Sequence, residues 1–329
     1  MKKNFLSLVA LGLFVSTSVR LHAQHYPAGS EGVKGATLPP TGLSIEDYNS
    51  FYYADQLTGF GVPANQGFHS FSYTQAPRLI WMTGWNILGA EYGMAIRVPV
   101  AYKEVTFQAP VVPPGSMFPP PMGGPTTSST HSQFGLEDIQ IEPLMLSWHL
   151  SQFDIISSYS VWAPTGDYDQ SKAYLVRLGG GYWTHMLTLG VTWYPDTEKE
   201  WAISLLNRYE INTEQHLQSY QAVGGGTISL DDTPGDFYTL EWAVSKRIFK
   251  HLDVGLAGYY QQQVTDTKFP SNVISPYLSS HIDVAGIGPE IDMNCPKWKL
   301  TGSLRYAYEF TATAHPQGHL VTLTITKSF

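Results

Sequence analysis

One pattern constrains this chain more than any other: apolar residues alternate with small or polar ones over a dozen separate stretches. At the C-terminus Val321, Leu323, Ile325 and Phe329 alternate with Thr322, Thr324, Thr326 and Ser328. Just before it, Leu304, Tyr306, Tyr308 and Phe310 alternate with Ser303, Arg305, Ala307 and Glu309. Trp201, Ile203, Leu205 and Tyr209 stand opposite Ala202, Ser204, Arg208 and Glu210, and Met94, Ile96, Val98 and Val100 opposite Ala95, Arg97 and Ala101. A period of two belongs to strands whose two faces meet different surroundings. It predicts strands near 47–57, 76–86, 89–103, 134–149, 152–163, 173–194, 201–212, 237–249, 252–265, 281–294, 298–311 and 319–329.

The links between these stretches narrow the fold. Those after the second, fourth, sixth, eighth and tenth strands are short, as at Ile87-Leu88, Leu150-Ser151, Lys250-His251 and Cys295-Pro296. Links after the odd strands are longer and rich in Gly, Pro and Ser, above all Glu104 to Gln133 and Asn212 to Asp236. Tight turns on one side and long loops on the other are the plan of an outer-membrane barrel. An even count of twelve puts both termini on the short-turn side. The Pro-rich stretch Pro110 to Pro125 cannot be a central strand and is expected to be loop. Gly179-Gly180-Gly181 falls inside the stretch 173–194, which is read as one passage.

Composition fits a wall between lipid and water. Only 14% of the 329 residues are charged, against roughly 25% in an ordinary soluble domain. Yet no apolar run after residue 20 reaches the ~18 residues of a membrane-spanning helix. Closing the sheet pairs every strand edge, which lipid would otherwise leave unsatisfied. The formal net charge of −8, with no basic cluster, argues against a nucleic-acid partner. The fold expected is therefore all-β: a closed antiparallel transmembrane β-barrel of about twelve strands, in contact with outer-membrane lipid of a Gram-negative bacterium.

Residues 1–23 read as an export signal, with Lys2 and Lys3 before the apolar run Phe5 to Val19 and a small residue, Ala23, at the cleavage point. Loss of its three basic residues, Lys2, Lys3 and Arg20, takes the formal charge from −8 to about −11. The single cysteine, Cys295, excludes an intramolecular disulfide and sits passively in a turn. Residues 24–46, with three prolines and four glycines, read as a leader or as a plug folded into the barrel, and 47–329 as the barrel itself. The terminal Phe329 is the kind of C-terminal aromatic that barrel-assembly machinery recognises.

Twelve charged residues fall opposite the apolar face and are expected to line the lumen: Arg78, Glu91, Arg97, Asp138, Glu142, Arg208, Glu210, Glu241, Arg247, Glu290, Arg305 and Glu309. On the lipid side an Arg near the midplane would cost roughly 2–4 kcal/mol. Inside, the twelve either form an ion-pair lattice that stiffens the barrel or a polar constriction on a substrate path. A twelve-stranded lumen lies between the filled eight-stranded barrel and the open sixteen-stranded porin.

Catalytic patterns are missing. There is no His-Glu-x-x-His, Cys-x-x-Cys, Gly-x-Ser-x-Gly or Gly-x-Gly-x-x-Gly. His315 and His319, four apart, flank Pro316-Gln317-Gly318 in an expected loop rather than a helix, so no metal, cofactor or enzyme activity is expected. A barrel lipid hydrolase would need a Ser beside a His, and no His is closely followed by Ser-Asn. A structural barrel that contacts partners through the loops near 104–133 and 212–236 is the alternative to a channel.

The stretch from His25 to Ala36, reading His-Tyr-Pro-Ala-Gly-Ser-Glu-Gly-Val-Lys-Gly-Ala, and the following Leu38-Pro39-Pro40-Thr41-Gly42 resemble proteins named for the MetA-pathway (meta-pathway) of phenol degradation. So do Asp47-Tyr48 to Asp55, Leu136-Glu137-Asp138-Ile139, and Ala163-Pro164-Thr165-Gly166-Asp167-Tyr168. The resemblance runs from about His25 to Phe329, while the insertion Pro110 to Pro125 departs from it. It implies an outer-membrane barrel, encoded beside aromatic-degradation genes, for passage of small hydrophobic or aromatic compounds.

Overall fold

The computed structural model describes residues 25–58, 67–110, 126–168, 176–221, 227–268 and 281–329. The expected export signal 1–23 and all of the Pro-rich stretch except Pro110 lie outside the described residues.

The described residues form a barrel of twelve antiparallel passages. They comprise β1 (Gly42–Leu57), β2 (His69–Ile87), β3 (Ala90–Arg97) continued as β4 (Val100–Pro110), and β5 (Thr126–Leu136) continued as β6 (Ile139–His149). Then come β7 (Phe153–Ala163), β8 (Thr184–Trp193) and β9 (Trp201–Asn212). A hairpin, β10 (Gln215–Gln221) and β11 (Thr227–Asp232), stands apart from the wall. The barrel is completed by β12 (Phe237–Phe249), β13 (Leu252–Gln263), β14 (Asp283–Cys295), β15 (Leu300–Thr313) and β16 (Pro316–Ser328).

Closure comes from β1, which pairs with β2 on one side and β16 on the other. The last residue, Phe329, donates its backbone N–H to Leu43 O at 2.9 Å, so the two ends of the wall meet at the short-turn mouth. Two passages break midway, at 98–99 and 137–138. There Val98 N donates to Pro77 O and Glu137 N to Pro99 O, which keeps the ladder closed where lipid could not satisfy it.

Side-chain alternation sorts the residues as a membrane barrel requires. Leu187, Leu189, Leu205, Leu256, Leu304 and Ile325 point out and are exposed, while Thr188, Thr192, Ser204, Thr239 and Thr322 point in and are buried. Large aromatics mark the rims, with Trp85, Trp298 and Phe329 at the short-turn end and Tyr308 and Phe310 toward the other, where a ring is half in lipid and half in water. One outward patch departs from the rule. Asp47 accepts from Asn49 Nδ2 (3.2 Å) and Gln75 Nε2 (3.0 Å), and Tyr73 donates to Asn49 Oδ1 (2.8 Å).

Several strand limits differ from the sequence reading. β2 begins at His69, β4 runs to Pro110 and β5 starts at Thr126. These added ends pair with one another, and the start of β5 carries Ser and Thr on both faces, so it lacks the apolar alternation that betrays a strand in lipid. The passage read as 173–194 is shorter, because β8 starts only at Thr184. Val176 and Leu178 are buried and Gly179-Gly180-Gly181 turns into the lumen. The loop expected around Pro316 is also strand: β16 begins there, after a turn at Ala314-His315. β1 begins at Gly42, five residues before the expected start.

Candidate functional site

The lumen has two unlike halves, and residues 25–41 separate them. This segment enters from the short-turn mouth at Gly42 and climbs inside the barrel. Near the mouth Thr37 Oγ1 donates to Asp154 (2.7 Å), and the Lys34 ammonium pairs with Asp253. Higher up its backbone is held by carboxylates from the wall. Val33 N donates to Glu290 (2.9 Å), Glu31 N to Glu241 (3.0 Å), and both His25 N and Tyr26 N to Glu210 (2.9 Å each). Such charge-assisted bonds to N–H groups are among the stronger kinds. Gly32 is needed for this approach: a Cβ there would sit 1.9 Å from Glu290 Oε2.

Glu210, Glu241 and Glu290 are each at most 1% exposed, so each must be matched by donors. Glu241 also takes the Tyr26 hydroxyl (2.8 Å) and the Arg208 guanidinium, which lies 4.1 Å from the Tyr26 ring centre. Glu290 pairs with Arg305 (2.8 Å), and Arg305 also donates to Gly29 O (2.5 Å). Burial keeps the Tyr26 phenol protonated, as a donor, despite the lowering pull of Arg208. Burial also raises the Glu31 carboxyl, and neighbouring Glu46 adds to that, while Arg208 opposes it. Tyr48 bridges the pair, its hydroxyl lying 2.6 Å from Glu31 and 2.7 Å from Glu46.

The tip of the segment meets the outer half. His25 Nε2 lies 2.7 Å from Asp138, whose carboxylate also accepts from Gly166 N (2.8 Å) and Gly180 N (2.6 Å). A Cβ at position 180 would come 2.6 Å from the His25 ring, so the glycine turn packs directly on the tip. Above this floor lies a cavity of about 220 Å³. Its walls carry Tyr48, Tyr52, Trp162, Tyr182 and Tyr259, and its charged lining includes Arg97, Lys103, Glu137, Asp138 and Glu309. Below, around Glu31, Leu38 and Met145, only about 30 Å³ is left, room for one or two waters.

All twelve charged residues named from the sequence lie on the inward side, but they do different things. Arg78 bridges Glu46 (3.1 Å) and Glu142 (2.6 Å), and Arg208, Arg305 and Arg247 are paired with Glu241, Glu290 and Asp253. Glu210, Glu241, Glu290 and Asp138 hold the segment or its tip. Glu309 accepts from Tyr52 (2.8 Å), Tyr259 (2.9 Å) and Gly318 N (2.8 Å) at the cavity wall. Glu91, toward the short-turn mouth, has one shielded oxygen without a partner, and Arg97 faces the cavity.

Sequence reasoning missed Glu31, Glu46, Asp154, Asp253, the Lys103–Glu137 pair (2.7 Å) and the tyrosine walls. Alternation within β1 would have turned Glu46, Tyr48 and Tyr52 inward. His315 and His319 are on opposite sides of the wall: His315 lines the cavity, while exposed His319 meets the Tyr306 hydroxyl at 2.7 Å. Among the described residues no cluster of three metal-ligating side chains occurs.

The sequence profile described as "Putative MetA-pathway of phenol degradation" matches residues 54–325. The chain belongs to this family. No curated protein matches it significantly in sequence. Among solved structures, an outer membrane channel from Pseudomonas putida F1 superposes with a TM-score of 0.67 at 12% identity, over 93% of this chain and all of that one. The β domain of the Bordetella autotransporter BrkA gives 0.47 at 12% identity, over 88% and 100% of the two chains. The P. putida toluene transporter TodX gives 0.43 at 13%, over 88% and 91%. The first shares the barrel fold; the other two match too loosely to inform this chain.

Proposed function

We propose that this protein is an outer-membrane channel for passive passage of small hydrophobic or aromatic compounds. The observation that carries the reading is the cavity of about 220 Å³, walled by Tyr48, Tyr52, Tyr182, Tyr259 and Trp162 and floored by residues 25–30. Rings of this kind stack on an aromatic guest, and a few polar groups orient it. Membership of a family named for phenol degradation, and a barrel shared with a P. putida outer membrane channel, support it. Residues 25–41 act as the gate: they fill the lower lumen and must shift before anything passes. The inward charged residues hold that gate rather than perform covalent chemistry, so no enzymatic step and no cofactor is assigned. In this reading residues 1–23 direct export, and Phe329 engages the barrel-assembly machinery.

The test is entry of toluene or phenol into liposomes with and without the purified barrel. Faster entry with the protein supports the channel. Equal entry favours the structural barrel, a reading to which the closed lower lumen gives some weight.

A further inference from the structure

We propose that the outer cavity is a binding site for small aromatic carboxylates, with Arg97 taking the charge. This deepens the channel reading and rests on it.

Arg97 differs from the other arginines of the lumen. Arg78, Arg208 and Arg305 each have a carboxylate within bonding reach. Arg97 is only 4% exposed, yet among the described residues it forms no ion pair and no hydrogen bond. Its guanidinium lies 4.5 Å from the centre of the Tyr48 ring, and its Nε is shielded without a partner. A buried cation whose one described side-chain contact is a ring face lacks the paired counter-charge that burial demands.

Among the described residues, no carboxylate that lines the cavity is free. Glu137 is taken by Lys103, Asp138 by His25, Gly166 and Gly180, and Glu309 by two tyrosines and Gly318. The missing anion must therefore come from outside. A guanidinium presents a planar fork that matches a carboxylate bidentately. The surrounding rings supply the apolar part of the site, and its size is adequate. An engineered cavity of about 150 Å³ in another protein accepts benzene, so about 220 Å³ admits one ring with a small substituent. A benzoate-like molecule uses both features at once: its ring lies among Tyr52, Tyr182 and Tyr259, and its carboxylate closes on Arg97.

The experiment is calorimetric titration of the full barrel in detergent with sodium benzoate and with benzamide, a neutral ring of nearly the same size. Wild type is expected to bind benzoate at least tenfold more tightly than benzamide. Arg97→Gln should lose that preference while still binding benzamide, and Arg97→Lys should retain part of it. Equal benzoate affinity in wild type and Arg97→Gln overturns the assignment. So does benzamide bound as tightly as benzoate by wild type; in that case the cavity remains an aromatic site and only the charge assignment falls. If neither compound binds, the aromatic reading of the cavity falls with it. The gel shift on heating shows whether Arg97→Gln is folded; if it is not, the benzoate-to-benzamide ratio in wild type decides alone.

Discussion

The lower lumen and the outer cavity are built from the same inward-facing residue types, yet one is filled and the other is open. In the lower half Glu210, Glu241 and Glu290 have each found a backbone N–H of residues 25–33, an arginine, or both. In the outer half the carboxylates are satisfied locally by tyrosines, Lys103 and glycine N–H groups, which leaves space between the walls. Charge inside a barrel thus does not by itself make a pore or a lattice. What matters is whether a polypeptide with exposed amides is at hand to take up the acceptors.

The contrast can be erased most completely by removing the filling. Deletion of residues 25–40 should raise single-channel conductance several-fold, because the lower half then resembles the upper one; unchanged conductance would mean that ions take another route. Next in size is Arg305→Leu, which leaves Glu290 buried without its cation. Breaking a buried pair from one side costs about 3–5 kcal/mol, so the temperature of the gel shift should fall clearly. A mutant that melts like wild type would show that Glu290 is satisfied by Val33 and Ser303 alone.

A smaller change is expected from Glu210→Gln, which keeps the shape but removes the charge that receives His25 N and Tyr26 N. Hydrogen bonds to a charged group contribute about 1.5–3 kcal/mol. Trypsin should then cut after Lys34 markedly faster than in the parent barrel; the same rate would place the anchoring elsewhere.

The smallest effect concerns pH. The Glu31 carboxyl is raised in the docked segment by burial and by Glu46, with Arg208, Glu241 and Arg78 also acting on it. A raised carboxyl means the docked form binds the proton more tightly than the free segment does. Docking is therefore favoured as pH falls from that raised value toward the ordinary carboxylate value of about 4.3, and weakened as pH rises back through the same window. The open fraction of single channels should be lower at pH 5 than at pH 7.5. Glu31→Gln should flatten part of that difference, since His25 and the other lumen groups are common to both proteins. An identical slope in the variant would remove Glu31 from the account.

Much of the wall was legible because lipid imposes a strict rule on every second residue. β7, β9 and β12 follow from that rule almost to the residue. It failed where lipid is absent. The Ser- and Thr-rich start of β5 carries no apolar face to read. Val176 and Leu178 are apolar for the opposite reason, being packed inside the lumen, and they imitated a strand that is not there. For the site, alternation identified which charged residues turn inward but not what they touch. The amides of Tyr26, Glu31 and Val33 are present in any sequence and leave no mark in it. Arg97 and Arg305 are the same letter on the same face, and only the fold shows that one is paired and the other is not.

The direct joining of residues 25–41 to β1 at Gly42 has a further consequence. The segment is an intramolecular ligand, presented to its receptor at an effective concentration on the order of millimolar for a short connection. Its individual contacts can therefore be weak and exchangeable while the lumen stays occupied nearly all the time. A free peptide of the same sequence, added to the truncated barrel, would have to approach that concentration to restore the block. Occupancy is then set by attachment as much as by affinity, and the segment can yield to a passing molecule and return without ever being lost.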